Sequence, residues 1–166
     1  SQTTPYGIGM VQANDPAFAT SNPSNVTVCI IDSGYQLAHE DLQDNYVTGT
    51  NDTGTGSFSE DSCGHGSHVA GTIAALNNGV GVVGVNGNGM LNLHIEKVFN
   101  GSACQWTYSS SLVTALNRCR TAVSGTGRKL VVSMSLGGNA AATTENNAFQ
   151  TAYDNGVLSV AAAGND

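Results

Sequence analysis

Asn25-Val26-Thr27-Val28-Cys29-Ile30-Ile31, closed by Asp32-Ser33-Gly34, is the stretch whose reading decides the fold. Its residues are β-branched and nearly continuously apolar, which predicts a buried strand, and the Ser-Gly that follows supplies a turn. Asp32 then stands at the carboxyl end of that strand. An uncompensated carboxylate is costly there, so Asp32 needs a strong partner such as an imidazole N–H. The plainer alternative is a turn-forming Asp before Ser-Gly.

Outward from this strand the pattern alternates. From His65 to Leu76 the residues Val69, Ala70, Ile73, Ala74 and Leu76 recur at helical spacing, until the glycine-rich segment 77–89 breaks it. Leu91, Leu93 and Ile95 alternate with polar residues into Val98-Phe99, a second strand. Leu112, Ala115, Leu116, Cys119, Ala122 and Val123 trace one helical face behind cap candidates at 109–111. Leu130 to Leu136 reads as a third strand ending at Gly137-Gly138. A helix with Ala148, Phe149, Ala152 and Tyr153 inward stops at Gly156, and Val157 to Ala163 is a fourth strand. Strand and helix in turn predict an α/β fold with a doubly wound parallel sheet, and no linker or repeat divides residues 1–166. Sites in such sheets lie beyond the carboxyl ends of strands, where Asp32, Ser135-Leu136-Gly137 and Asn165 all fall.

Composition excludes some functions. The formal charge of −7, from 5 Lys+Arg against 12 Asp+Glu, leaves no basic stripe for a nucleic acid. No segment approaches the roughly 20 apolar residues of a membrane span. Ser1 to Met10 has neither a basic nor an apolar leader region, so a mature, processed and soluble chain is expected, and 21 glycines with only 10% charged residues suit a secreted protein. The four cysteines, Cys29, Cys63, Cys104 and Cys119, lack CxxC spacing and predict two disulfides in an oxidising compartment, with three connectivities open.

Amide hydrolysis at neutral pH needs a nucleophile, a base, a group that fixes the base's tautomer, and donors for the developing oxyanion. Three motifs bear on this. They are Asp32-Ser33-Gly34 after a strand, the run Gly64-His65-Gly66-Ser67-His68-Val69-Ala70-Gly71-Thr72-Ile73-Ala74, and the terminal Ala161-Ala162-Ala163-Gly164-Asn165. In this order they resemble the subtilisin-like serine proteases. The resemblance extends over nearly the whole chain, through His39-Glu40-Asp41-Leu42, Ala75-Leu76-Asn77-Asn78 and Ser133-Met134-Ser135-Leu136-Gly137-Gly138.

The resemblance implies endopeptidase chemistry on the amino-terminal part of one catalytic domain. Asp32 would orient His65, His65 would act as general base and then acid, and Asn165 would donate its amide to the oxyanion. Ser135, Leu136 and Gly137 would pair with an extended peptide substrate. Ala162, Ala163 and Gly164 would form a wall of the specificity pocket, Trp106 and Tyr108 its opposing edge, and Asp61 would flank a subsite near His65. It also implies structural calcium held by Gln2, Asp41, Leu76, Asn78, Val80 and Val82, all hard oxygen donors, and a disulfide Cys63–Cys104 that leaves Cys29 with Cys119.

One part of the pattern departs. The family's Gly-Thr-Ser-Met-Ala nucleophile motif has no counterpart in these residues. The serine is therefore expected on a carboxyl-terminal fragment of the same catalytic domain that associates with this one, and the chain alone is expected to be inactive. The alternatives are a chain that ends early and a non-catalytic peptide-binding pseudoprotease. Two other motifs mislead: Gly79-Val80-Gly81-Val82-Val83-Gly84 fits GxGxxG but follows a helix, and the His65/His68 pair lacks a third zinc ligand.

Overall fold

Val26–Asp32 forms strand β1, six of whose residues lie in register with β3 on one side and six with β6 on the other, all parallel. The computed structural model describes residues 1–19, 23–106, 112–137 and 143–165. Two short helices, α1 (Tyr6–Met10) and α2 (Pro16–Ala19), precede β1. After it come β2 (Val47–Asn51), α3 (His65–Ala74), β3 (Asn92–Lys97), β4 (Phe99–Asn100), β5 (Gln105–Trp106), α4 (Leu112–Val123), β6 (Lys129–Met134), α5 (Thr143–Asp154) and β7 (Leu158–Ala161). The main sheet has the order β2-β3-β1-β6-β7, while β4 and β5 form an antiparallel pair.

A strand in the middle of a parallel sheet is covered on both faces, which is why β1 reads as unbroken apolar sequence. Its side chains divide by the period of two. Cys29 and Ile31 enter one core with Leu116 and Cys119 of α4, Val132 of β6 and Ala152 of α5. Ile30 enters the other, with Ala70 and Ala74 of α3 and Leu93 and Ile95 of β3. The sheet therefore carries α3 on one side and α4 with α5 on the other. A disulfide between Cys29 and Cys119, Cα atoms 5.8 Å apart, crosses the α4 core; a second joins Cys63 to Cys104 at 5.4 Å.

One sequence expectation changes, and one strand is new. Tyr153 is 64% exposed, because Ala148, Phe149 and Ala152 already define the inward stripe of α5 and Tyr153 falls outside it. The edge strand β2 is absent from the sequence reading, since Gly49 at its centre looks like a turn. Gly49 lies under the Phe58 ring, and a Cβ there would overlap that ring.

Candidate active site

Parallel strands deliver their carboxyl ends to one edge, and the order β3-β1-β6-β7 sets Asp32, Ser135 and Ala162 along it. Ile31 is in register with Met134, so Asp32 and Ser135 leave the sheet side by side. Met134 is in register with Ala161, and the N–H of Ala162 donates to the Met134 carbonyl at 3.0 Å. Ser135, Leu136 and Gly137 follow β6, and Ala162, Ala163, Gly164 and Asn165 follow β7, the last four being exposed. Trp106 opposes Phe99 in the small β4–β5 pair; its side chain and Tyr108 lie outside the described residues.

His65 opens α3, which packs on β1, and its Nδ1 lies 2.8 Å from Oδ1 and 3.0 Å from Oδ2 of Asp32. Asp32 is fully buried, whereas the His65 side chain is 50% exposed. An ionised carboxylate can only accept, so the contact fixes the proton on Nδ1 and leaves Nε2 as a free base. Burial pushes the Asp32 carboxyl up from its ordinary value, against hydrogen bonds from His65 and from the Ser33 N–H that act downward.

The close approach of α3 to the end of β1 depends on Gly66. A Cβ at this position would collide with the Gly34 carbonyl oxygen and crowd the N–H groups of Ser33 and Gly34. Gly34 itself has φ +120°, a conformation that favours glycine.

Around the first turn of α3 lies a network that the sequence reading did not anticipate. Asp61 is 9% exposed and accepts from the Ser33 hydroxyl (2.8 Å), the Gly64 N–H (2.9 Å), the Ser67 N–H (2.8 Å) and the Ser67 hydroxyl (2.7 Å). Burial acts to raise its carboxyl, but these hydrogen bonds outweigh it and hold the group below its ordinary value. Beneath the same loop the buried Lys97 ammonium donates to the Glu60 carbonyl at 2.6 Å.

The residues named for calcium also come together. Asp41 is 5% exposed; its Oδ2 accepts from the Val82 N–H at 2.8 Å, while its Oδ1 is buried without a hydrogen-bond partner. Its carbonyl accepts from the Leu76 N–H at 2.9 Å. Gln2 Oε1 accepts from the Gly79 N–H (2.7 Å), and Asn78 Oδ1 from the Val80 N–H (3.1 Å). Among the described residues no three His, Cys, Asp or Glu side chains cluster for a metal. Any cation here would rely on one carboxylate and on neutral oxygens. An orphaned carboxylate oxygen beside amide and carbonyl groups fits a hard cation such as calcium.

On the far side of the sheet Arg118 of α4 bonds Asp52 at 2.5 Å and Glu96 of β3 at 3.1 Å, and Thr50 donates to Glu96. None of these residues was singled out by sequence, although a Glu inside an apolar strand is itself a sign of a buried partner.

Among the described residues no helix is long and apolar enough to cross a membrane. The model of the Subtilase family matches residues 23–166. The chain is 39% identical to Subtilisin DY of Bacillus licheniformis over 165 residues, which is 99% of this chain and 56% of that protein. It is 36% identical to Subtilisin E of Bacillus subtilis (strain 168), covering 41% of it. Among solved structures, the psychrophilic subtilisin-like protease Apa1 from the Antarctic psychrotroph Pseudoalteromonas sp. AS-11 superposes with a TM-score of 0.86 at 51% identity, over 99% of this chain and 36% of that one. The chain thus spans about half the length of the curated relatives it matches, or less. It belongs to the Subtilase family of serine proteases, as an amino-terminal part of the subtilase domain.

Proposed function

We propose that residues 1–166 supply the base, its orienting carboxylate and an oxyanion donor to a secreted serine endopeptidase. The observation that carries this reading is the 2.8 Å contact between His65 Nδ1 and buried Asp32. A buried acceptor holds the imidazole in one tautomer and stabilises the imidazolium that forms when Nε2 takes the nucleophile's proton. His65 then returns that proton to the leaving amine, and a water attacks the acyl-enzyme with His65 again as base.

Asn165 donates its side-chain amide to the tetrahedral oxyanion. The support for this is its place just beyond β7, two strands from Asp32 on the same sheet edge. Ser135, Leu136 and Gly137 bind an extended protein or peptide substrate through their backbone, as a strand binds its neighbour. Ala162, Ala163 and Gly164 wall the adjoining pocket, with Trp106 and Tyr108 opposite. The nucleophilic serine comes from a carboxyl-terminal segment of the same catalytic domain, continuous with these residues or associated with them; residues 1–166 make one folding unit with that segment.

Calcium serves stability in this reading. Asp41, Gln2 and Asn78 with the carbonyls of Leu76, Val80 and Val82 would hold it, supported by the orphaned Asp41 Oδ1. The bound ion supplies positive charge to a buried carboxylate and takes no part in catalysis. Secretion is supported by the two disulfides, which persist in oxidising compartments.

The test is fluorophosphonate labelling and peptide hydrolysis by the complete enzyme and by its His65→Ala variant. The native protein is expected to label and to hydrolyse peptide. The variant is expected to lose about 10⁶ in kcat, the loss seen when subtilisin is stripped of a principal triad member. Undiminished hydrolysis by the variant would end this reading.

A further inference from the structure

We propose that Asp61 is a positioning residue for His65: its carboxylate clamps the first turn of α3 to the end of β1 and so sets the Asp32–His65 contact. The proposal rests on the reading of Asp32 and His65 given above, and it gives Asp61 a different task from contact with substrate.

The first-turn N–H groups of a helix have no partners within the helix. The residue before α3 is Gly64, in the left-handed region at φ 82°, and it offers no side chain to cap them. Two side chains from outside the helix take over. The Gly66 N–H donates to Ser33 Oγ at 2.8 Å, and the Ser67 N–H donates to Asp61 Oδ2 at 2.8 Å. Ser33 donates its own hydroxyl to Asp61 Oδ1 at 2.8 Å, so the residue next to Asp32 and residues flanking His65 are hydrogen-bonded to one carboxylate. Ser67 Oγ closes the far side, donating to Asp61 Oδ2 and accepting from the Gln36 N–H at 2.9 Å.

A carboxylate offers about four acceptor positions on its two oxygens. Ser33 Oγ, Gly64 N, Ser67 N and Ser67 Oγ occupy them, which leaves Asp61 nothing to offer a peptide. A negative charge at a helix N-terminus is also favourably placed against the helix dipole. Loss of this clamp frees the turn that carries His65 from the strand that carries Asp32, and the imidazolium loses part of its stabilisation.

The experiment uses the complete enzyme with Asp61→Ala, Asp61→Asn and Ser67→Ala, kcat and KM measured separately across pH, and His65→Ala as reference. For the Asp61 variants we expect kcat to fall about tenfold to 10²-fold, the cost of small misplacement of a catalytic group, with KM nearly unchanged. The acid limb of the kcat/KM profile is expected to move to lower pH, because a less stabilised imidazolium gives up its proton more readily. If Asp61→Ala does not accumulate as folded protein, Asp61→Asn and Ser67→Ala read the same kcat–KM split. A rise in KM with unchanged kcat would make Asp61 a substrate contact, and unchanged kcat with an unmoved acid limb would make it a structural cap alone; either overturns the proposal. Activity surviving in His65→Ala overturns the reading beneath it, and that outcome is separable from the other two.

Discussion

Arg118 and Glu96 meet at 3.1 Å where α4 crosses β3, the carboxylate fully buried and the guanidinium 36% exposed. The same Arg118 holds Asp52, so one cation answers two buried anions. Removing it leaves Asp52 without its cation and Glu96 with only the Thr50 hydroxyl and, at 3.4 Å, His94 Nε2. Arg118→Ala is expected to destabilise the protein by about 3 kcal/mol, the lower end for a broken buried pair because the arginine is partly solvated. Urea unfolding measures it, and a change below about 0.5 kcal/mol, the size of an ordinary surface substitution, would contradict the role.

Asp61 predicts an acid dependence of stability. Its folded carboxyl titrates below the ordinary 3.8, so between the folded and unfolded values the native state binds fewer protons. Its contribution is therefore present above the unfolded value and is lost as pH falls through the lowered folded one. Melting temperatures across pH 6 to 2 should fall more steeply for the native protein than for Asp61→Asn. Parallel curves would remove Asp61 from the acid transition.

Asp32→Asn keeps the shape of the side chain but favours the wrong imidazole tautomer. In the complete enzyme, kcat should drop about 10⁴-fold with little change in KM. A loss under tenfold would mean that another group orients His65.

The Cys29–Cys119 bridge spans 90 residues and ties β1 to α4 through the core. Replacing both cysteines by alanine should cost about 2–5 kcal/mol, readable in denaturant unfolding. Retention of full stability would show that core packing alone holds α4 in place.

Calcium, if held at Asp41, adds binding free energy to folding. Chelation should lower the melting temperature, with a loss of about 2.7 kcal/mol when calcium had been at 100 times its Kd. Asp41→Asn should abolish the chelator's effect; an unaltered melting temperature on chelation argues against the ion.

Much of this was legible in the sequence because periodicity and motif agreed. β1 is apolar throughout since both of its faces are covered, and its end at Asp32 follows from the Ser-Gly turn. His65 sits where glycines and small residues allow a helix to approach a strand. What escaped depends on contacts between distant residues. Gly49 hides β2 because its purpose, room for the Phe58 ring, lies nine positions away. Ser33 and Asp61 are separated by 28 residues, and Arg118 reaches Glu96 across 22, so no local pattern announces either network. Tyr153 follows Ala152 directly and reads as part of the same stripe, whereas Ala148, Phe149 and Ala152 already fill the inward face of α5 and Tyr153 is exposed.

Strand β7 pairs with β6 on one side and, among the described residues, with nothing on the other, while Leu158 and Val160 remain 50% and 53% exposed. Such a margin offers a row of unpaired amides and greasy side chains to any passing extended chain. Residues 1–166 handled as a separate polypeptide are therefore expected to associate along this strand, and light scattering of that polypeptide against the complete enzyme would show it.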